Sequence, residues 1–390
     1  MNNGYFDWAA TSFMSEAACD AYRNAASAYP GNPSSLHKLG SQASAFLNAC
    51  RSTVAALLHI SPDTVFFTAG GTESNSIAIL SRLWRKSPGK IIFSNLEHDS
   101  VLQHRRILEE HGFAVLSLTS KKGYADLDHL DTLLDEQVDL VCLLLAQNVL
   151  GTVQDVASAV ALVRAHERRT GKRIHVHCDA VQALGKVSFD LASLGVDSAA
   201  FSAHKFQGPR GVGVLYCRPN SIEALSRGGG QESGLRPGTE HIAGIAAMTE
   251  AMSELFRNFD ERMLHVHKLR RFFEDSWREH PVIVQLSPYS NENSRIVDSI
   301  VTISLPCLPS EVAMRILSDR GLYVSSGSAC SNNAKKKSSR LFQDFGFNAH
   351  VAGGAIRISF GPTTTIEECA MLVQALQDIA KQYGTTVKRG

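Results

Sequence analysis

The sequence predicts an α/β protein with two domains: a large one built on a mostly parallel sheet covered by helices, and a smaller α+β domain. Three observations predict this class. Between about residues 60 and 220, short strand patterns alternate with helical ones. Several of those strands are apolar throughout, as parallel strands covered on both faces usually are. Further along the chain, two strand patterns flank one helical pattern, which indicates a second, smaller unit.

The first strand, "TVFFTAG", leads into a helical pattern, "TESNSIAILSRLW", with Ile77, Leu80 and Trp84 on one helical face. Five further strand patterns follow before residue 206: "KIIFSN", "FAVLSLT", "DLVCLLLAQN", "RIHVHCDAV" and "DSAAFSAHK". Together they form the predicted large sheet.

A glycine-rich segment, "RGGGQESGLRPGTEH", precedes a long, charged helical stretch from about residue 242 to residue 280. The smaller domain is predicted from "SIVTISLP", the helical "SEVAMRILSDRG" and "AIRISFG". The predicted division is an N-terminal segment that packs with the small domain, a large domain and a small domain, over residues 1–14, 15–252 and 253–390.

Composition argues against several classes of partner. The chain has 390 residues, of which 44% are hydrophobic and 20% charged, with a net charge of +1. This balance gives no reason to expect a nucleic-acid or membrane surface. The start, "MNNGYFDWAATS", lacks the features of a signal peptide. The densest apolar run, "VDLVCLLLA", is far shorter than a membrane span. We expect a cytoplasmic protein.

One of the eight cysteines stands out. No two of them form a CxxC pair, so neither a zinc ribbon nor a thioredoxin-like site is indicated. Cys142, Cys178 and Cys217 lie in apolar strand-like runs and are expected to be buried packing residues. Cys330 instead lies among Ser, Gly and Ala in "VSSGSACSNNAKKKSS", where little could bury it. Its position indicates a reactive thiol rather than a packing residue.

Ligands of open parallel sheets bind beyond the carboxyl ends of the strands, so the polar residues that follow each strand are the candidates. "TAGGTES" follows the first strand and opens a helix. There, backbone N–H groups with Gly71 and Thr72 would form an anion cradle, although the same turn could be a simple helix cap.

Two neighbouring strand ends carry complementary chemistry. Asp179 ends one strand and Lys205 follows the next, flanked by Phe201 and Phe206. Partial burial would lower the pKa of the lysine and favour the neutral amine, which can form a Schiff base with an aldehyde. A carboxylate can keep a pyridine nitrogen protonated. Either residue alone could be an ordinary strand-end side chain, but together with the anion cradle they suggest pyridoxal phosphate.

The chain as a whole resembles cysteine desulfurases of the NifS/IscS type, which belong to the class V aminotransferase-like group of fold-type I pyridoxal-phosphate enzymes. The likeness runs from "YFDWAATS" to "IRISFGPTTTIEE" and so covers nearly the whole chain. Between them, in order, lie "GNPSSLH", "FTAGGTESNS", "EHDSV", "NVLGTVQD", "HCDAVQALGK", "SAHKFQGPRGVG", "LRPGTE" and "SSGSAC".

The resemblance implies pyridoxal 5'-phosphate as cofactor and assigns residues to it. Lys205 matches the lysine that binds the cofactor covalently and later moves the substrate's Cα proton, and Asp179 matches the carboxylate on the pyridine nitrogen. His98 matches the imidazole that stacks on the ring and is a candidate acid or base. The remaining matches are contacts to the phenolic oxygen, Asn148 and Gln182, and to the phosphate, Gly71, Thr72, Ser202, His204 and Thr239.

Thr239 matches a residue that the neighbouring subunit contributes, so the resemblance implies a homodimer. It also implies that Arg357 grips the α-carboxylate of the substrate L-cysteine, with Asn32 as a second contact. Guanidinium suits this task because it binds a carboxylate through two hydrogen bonds.

In such enzymes the loop cysteine is the nucleophile. Cys330 would take the substrate's sulfur as a persulfide, leave L-alanine, and pass the sulfur to an acceptor or iron–sulfur scaffold protein. A loop of small residues lets the thiol travel between the cofactor and that acceptor. "SSGSACS" resembles the long-looped group that serves iron–sulfur assembly and tRNA thiolation, rather than the group with an "RxGHHCA" loop.

The chain departs from the family at a few positions. Gln147 and Val149 flank Asn148 where "NNEIG" is common, and Ala203 replaces a frequent glycine. The lysines at 335 to 337 could steer an acidic acceptor or be a silent solvated run. His175 and His177 fall on one strand face, where a metal site is conceivable, but a strand entering the cofactor pocket explains them as well.

Two other functions remain open from sequence. A related pyridoxal-phosphate enzyme, an aminotransferase or selenocysteine lyase, would share most motifs, but an aminotransferase has no need of Cys330. A non-catalytic scaffold that binds sulfur-assembly partners is a different class, against which the intact Lys205, Asp179 and Arg357 argue.

Overall fold

The protein is described here by a computed structural model that covers residues 4–291, 295–327, 341–343 and 345–384. Cys330, expected to be the nucleophile, and the lysines at 335 to 337 lie outside the described residues.

Seven strands of the described chain form the main sheet, in the spatial order β1-β9-β8-β7-β6-β2-β3. They are β1 (Val65–Thr68), β2 (Lys90–Ser94), β3 (Ala114–Leu118), β6 (Val138–Leu144), β7 (His175–Asp179), β8 (Ser198–Ser202) and β9 (Gly213–Cys217). A two-stranded hairpin, β4 (Ser120–Lys121) and β5 (Tyr124–Ala125), follows β3.

The predicted mostly parallel sheet is confirmed. Only β9 opposes the other strands of this sheet, pairing antiparallel with both β1 and β8. Residues 203–212 alone connect β8 to β9, and a parallel crossover needs a dozen residues or more. The shortness of the link therefore fixes the direction of β9.

Alternate residues of the central strands enter two different cores. On β6, Val141 and Leu143 belong to one buried cluster, whereas Leu140 and Cys142 belong to the other. Because strand side chains alternate between faces, this division shows that the sheet is covered on both sides. Cys142, Cys178 and Cys217 are all buried, as expected.

The helices that flank the main sheet are α1 (Glu16–Ala28), α2 (Lys38–Leu57), α3 (Gly71–Leu80), α4 (Asp99–Leu102), α5 (Arg105–Glu110), α6 (Leu127–Leu133), α7 (Val156–Thr170), α8 (Leu191–Leu194) and α9 (Ile242–Arg257). Short 3₁₀ turns occur at Pro62–Thr64, Ser81–Trp84, Ala203–Lys205 and Gln231–Gly234.

The expected apolar face of α3 is wrong. The helix ends at Leu80, and Trp84 lies in the following 3₁₀ turn with 45% of its surface exposed. Ile77 and Leu80 are only partly buried. The buried side chains are Ser74, Asn75, Ala78 and Ile79. Two of these are polar and hydrogen-bonded, so apolar periodicity could not identify the face.

The long helical stretch consists of two helices, α9 and α10 (Phe259–Trp277), separated by Asn258. Met248 and Ala251 of α9 belong to the core of the main sheet, whereas Phe273 of α10 belongs to a second core. The break thus lies where the chain passes from one core to the other.

That second core belongs to a four-stranded antiparallel sheet in the order β10-β11-β13-β12. Its strands are β10 (Val284–Gln285), β11 (Ile300–Ser304), β12 (Ser325–Ser326) and β13 (Ala355–Ser359), with helices α11 (Ser310–Asp319), α12 (Ala349–Gly353) and α13 (Ile366–Tyr383). Phe6 is fully buried in the same core. The division at residues 14 and 252 stays a prediction.

Within the described ranges, no helix is both long and apolar enough to cross a membrane.

Candidate active site

The candidate residues follow strands whose carboxyl ends meet at one edge of the main sheet. Asp179 ends β7, and Ser202 ends β8 immediately before the 3₁₀ turn that contains Lys205. Three residues separate Asn148 from the end of β6, and three separate His98 from the end of β2. Because β1, β2, β6, β7 and β8 run in one direction, these side chains converge on the same edge.

Lys205 is held by the N-terminal segment of the chain. Its Nζ donates to the carbonyl oxygens of Ala9 and Ala10, each at 2.7 Å. Burial, with a smaller contribution from the nearby Arg357, lowers the pKa of Lys205 to about 8, while Asp7 and Asp179 oppose the shift. A larger neutral fraction makes the amine a better nucleophile at neutral pH.

Asp179 is a buried carboxylate with fixed donors. Its Oδ1 accepts from the backbone N–H of Val181 at 3.0 Å, and its Oδ2 accepts from Asn75 Nδ2 at 2.8 Å. The carboxylate is therefore prepared to face a cationic ring nitrogen.

The turn between β1 and α3 is built for close backbone approach. Gly70 has a φ of 148°, which disfavours a side chain, and a Cβ added at Gly71 would lie 2.5 Å from Val181 Cγ2. A Cβ at Gly70 would lie 3.4 Å from Ser202 Oγ, so that hydroxyl lies beside the turn. Thr72 is exposed in the first turn of α3. The helix N-terminus and the Ser202 hydroxyl can together receive an anion.

His204 is a neutral side chain at this edge. Burial, together with the positive charges of Lys205, Lys186 and Arg210, lowers its pKa to about 4. Its Nδ1 lies 3.2 Å from the Thr11 hydroxyl. At neutral pH the ring can therefore make hydrogen bonds without carrying charge.

The amide of Gln182 is fixed by two partners. Its Oε1 accepts from Lys186 Nζ at 2.5 Å, and its Nε2 donates to the Ala9 carbonyl at 2.7 Å. Burial, together with Lys205 and Arg357, lowers the pKa of Lys186 well below its ordinary value. Lys186 thus sets which end of the Gln182 amide faces Ala9 and Lys205.

Gln147, one of the departures from the family pattern, has a local structural role. It is buried, and its Oε1 accepts from the N–H groups of Val149 at 2.6 Å and Leu150 at 2.7 Å. Val149 is tied to the small domain through its carbonyl, which accepts from Thr302 Oγ1 at 2.5 Å. These bonds fix the turn that carries Asn148.

Arg357 reaches the site from the small domain. It is 6% exposed, and its Nη2 lies 2.8 Å from Asp7 Oδ1 while its Nη1 donates to the Asn148 carbonyl at 3.0 Å. Ser325, opposite Arg357 on β12, donates to the same Asp7 oxygen at 2.8 Å. Arg357 Nε is buried and has no hydrogen-bond partner among the residues that the structure describes, which leaves a donor for a bound carboxylate.

His98 is exposed at the site and precedes α4 as its N-cap residue. Its Nδ1 accepts from the backbone N–H of Ser100 at 3.1 Å and lies 2.9 Å from the Ser100 hydroxyl. One ring nitrogen is therefore committed to Ser100.

Asn32 and Thr239 are not brought into this group by the hydrogen bonds of the described chain. Both are exposed, and Asn32 Oδ1 accepts from Ser34 N at 2.9 Å. Their expected roles, and that of Cys330 outside the described residues, stay predictions.

Sequence reasoning missed three residues that shape the site: Asp7, Asn75 and Lys186. Each lies inside a motif that was recognised, "YFDWAATS", "FTAGGTESNS" and "HCDAVQALGK". A polar residue in a motif otherwise built of cofactor contacts was the available signal, but its partner could not be known without the fold.

The residues that lie together fit pyridoxal 5'-phosphate. The glycine turn leaves room for a phosphate, Asp179 suits a pyridine nitrogen, and the amine of Lys205 suits an aldehyde. The unpaired Nε of Arg357 suits the carboxylate of an amino acid.

Comparison with known proteins gives a consistent result. The family model described as aminotransferase class-V matches residues 4–372. A NifS/IcsS protein homolog from Lactobacillus delbrueckii subsp. bulgaricus is 36% identical over 97% of each chain. A cysteine desulfurase IscS from Dictyoglomus turgidum is 32% identical over 98% of this chain and 95% of its own.

Among solved structures, one named NifS-like protein superposes with a TM-score of 0.89 at 31% identity, covering 97% of this chain and all of the other. The match extends through both domains of the fold.

Proposed function

The chain belongs to the aminotransferase class-V family, as a cysteine desulfurase of the NifS/IscS type, and we propose that it converts L-cysteine to L-alanine with pyridoxal 5'-phosphate, transferring the sulfur to Cys330. The proposal includes delivery of that sulfur to an acceptor protein for iron–sulfur cluster assembly or thiolation.

One observation carries the proposal. Lys205 from the large domain and Arg357 from the small domain contact the same short N-terminal segment, Lys205 through Ala9 and Ala10 and Arg357 through Asp7. An amine able to act on an amino acid's α-carbon and a guanidinium able to hold its carboxylate therefore lie side by side.

The cofactor, when bound, draws electrons from the substrate's Cα into its pyridine ring and makes the β-sulfur open to attack. Asp179 would hold the ring nitrogen, and Asn148 and Gln182 the phenolic oxygen. The phosphate would be held by Gly71, Thr72, Ser202 and His204 of this chain and by Thr239 of a second copy in a homodimer.

The chain's own groups then carry the reaction. Arg357, assisted by Asn32, binds the substrate carboxylate, and Lys205 moves the proton at Cα. The Cys330 thiolate attacks the substrate sulfur, whose bond to Cβ breaks. In balance, the Cys330 thiol and L-cysteine become a Cys330 persulfide and L-alanine, and no external oxidant or reductant is used.

The test is release of alanine and sulfide from L-cysteine with a reducing thiol, comparing wild type with Cys330→Ala. Cys307→Ala is the matched control, because Cys307 lies in the same domain and burial raises the pKa of its thiol. We expect all three proteins to be yellow with bound cofactor, and only Cys330→Ala to lose both products. Equal sulfide release by Cys330→Ala would exclude Cys330 as the sulfur acceptor. A lack of activity in the wild type would count against the desulfurase function itself.

A further inference from the structure

A buried network of hydrogen-bonded polar side chains adjoins the candidate site at Asp179. Asn75 and His177 are fully buried, as is Ser198, and His175 is 5% exposed. They are joined by hydrogen bonds of 2.7 to 2.9 Å to one another and to Asp179. None of the four was among the expected contacts of cofactor or substrate. Such a network is costly to bury unless every member is satisfied.

The amide of Asn75 is oriented by the carboxylate. Carboxylate oxygens accept hydrogen bonds, so the Asn75 atom that lies 2.8 Å from Asp179 Oδ2 is the amide nitrogen. The second hydrogen of that nitrogen goes to Ser100 Oγ, also at 2.8 Å. The amide oxygen is left to face His177 Nε2 at 2.9 Å.

From Asn75 away from the site, the direction of each hydrogen bond follows from the one before it. His177 has to carry its proton on Nε2 to donate to Asn75 Oδ1, and burial lowers its pKa to about 3, so the ring is neutral. Its Nδ1 therefore accepts from the Ser198 hydroxyl at 2.7 Å. Having given its proton, Ser198 Oγ accepts from His175 Nε2 at 2.8 Å. Both histidines are members of this hydrogen-bond network rather than ligands of a metal.

From Asn75 toward the site, the same reasoning determines which ring nitrogen of His98 carries the proton. Since Ser100 Oγ accepts from Asn75, its hydrogen is donated to His98 Nδ1 at 2.9 Å. The backbone N–H of Ser100 points at the same nitrogen. Two separate donors thus require Nδ1 to be unprotonated, and the neutral ring carries its proton on Nε2.

We propose that Asn75 is a positioning residue whose single amide nitrogen couples Asp179 to His98 through Ser100, fixing the Asp179 carboxylate in place and holding the imidazole in its Nε2–H form. This inference rests on the proposed function, because it assigns Asp179 and His98 to the cofactor. In this state His98 carries its proton on Nε2.

The coupling predicts two effects that can be measured separately, one on Asp179 and one on His98. Asn75→Leu keeps the side chain's approximate volume but removes both donors, whereas Ser100→Ala removes only the link to His98. Ser76→Ala is the matched control, since Ser76 lies on the same helix and bonds to the Thr72 carbonyl and His104 instead. Asn75→Ser, which retains one donor, substitutes if Asn75→Leu does not fold.

The first measurement is the dissociation constant of pyridoxal 5'-phosphate by absorbance titration. Asn75→Leu is expected to weaken binding roughly tenfold or more, because a donor to a buried charge is lost. Ser100→Ala and Ser76→Ala should remain within about twofold of wild type.

The second measurement is the ¹⁵N spectrum of histidine-labelled protein, with His98 assigned from His98→Gln. Wild type should show an unprotonated Nδ1, and that resonance should shift in Asn75→Leu and in Ser100→Ala but not in Ser76→Ala. A protonated Nδ1 in wild type, or an Asn75→Leu protein that matches Ser76→Ala in both measurements, would overturn the proposal. If wild type releases alanine normally in that case, the proposed function survives and only the coupling fails.

Discussion

At the scale of single residues, Lys205 shows how burial creates reactivity. Its buried amine donates hydrogen bonds to the carbonyls of Ala9 and Ala10, which carry no counter-charge, and the opposing effect of Asp7 and Asp179 is smaller than that of burial. Arg357 adds positive charge nearby. Both effects disfavour the ammonium form, which explains a pKa of about 8 where an ordinary lysine has 10.5.

This shift predicts a pH dependence. At pH 7 about one Lys205 amine in ten is neutral, against roughly one in 3,000 for an ordinary lysine. Capture of pyridoxal 5'-phosphate by cofactor-free protein, followed by stopped-flow absorbance, should accelerate about tenfold from pH 6 to 7 and level off above about pH 8. Lys205→Ala should show no covalent capture. A rate that kept rising to pH 10 would mean that the amine is not perturbed.

Arg357 predicts a separation of binding from chemistry. Lysine cannot reproduce the two-pronged contact of a guanidinium with a carboxylate. In Arg357→Lys we expect the KM for L-cysteine to rise roughly tenfold or more, with a smaller change in kcat. Arg315→Lys, an exposed change on α11 of the same domain, is the control and should leave both constants near wild type. An unchanged KM in Arg357→Lys would remove Arg357 from substrate binding.

At the scale of elements, the turn from β1 into α3 depends on backbone packed against backbone. A Cβ at Gly213, the first residue of β9, would lie 2.6 Å from Gly70 Cα, and one at Gly71 would meet Val181. Val181 in turn gives its N–H to Asp179. The packing that positions the helix N-terminus therefore also positions the carboxylate.

Gly71→Ala should disturb both functions of this turn. The added methyl group overlaps Val181 Cγ2, and overpacking of this kind costs about 1–3 kcal/mol of unfolding free energy. We expect a lower urea midpoint together with weaker cofactor binding. Gly353→Ala is the control, because nothing lies within 4 Å of its added Cβ and its φ is not positive. If both variants bind the cofactor as wild type does, the turn is not the phosphate cradle.

At the scale of the whole molecule, the N-terminal segment joins the two domains. Phe6 is buried in the small-domain core, while Ser12 donates to the His204 carbonyl of the large domain at 2.8 Å. Asp7 lies between them and pairs with Arg357. The segment thus positions Arg357, the proposed substrate-binding residue, relative to the sheet edge that carries Lys205.

Removing the anchor of this segment should be costly. Phe6→Ala deletes a fully buried ring that packs edge-on against Phe273, and we expect a loss of about 3–5 kcal/mol in unfolding free energy. Phe256→Ala removes a phenylalanine that is 38% exposed on α9 and should cost less than about 1 kcal/mol. Urea denaturation measures both. Equal midpoints for the two variants would show that Phe6 does not anchor the segment.

The sequence by itself determined the fold class, the strand positions and the edge where the chemistry lies. A continuously apolar strand indicates burial on both faces of the sheet. The residues around Asp179 and Lys205 are enough to show that each follows the end of such a strand. Motif resemblance added the cofactor and the reaction, because it compares many such local patterns in order.

Only the tertiary structure decided the pairings between distant positions. The direction of β9, the polar buried face of α3, the ion pair of Asp7 with Arg357 and the linkage of Asn75 to Asp179 and His98 all join residues far apart in the chain. Periodicity and turn residues describe near neighbours, whereas a hydrogen-bond partner across the fold is fixed by packing. The positions of the candidate groups along the sheet edge could therefore be predicted from sequence, whereas the groups that hold them in place could not.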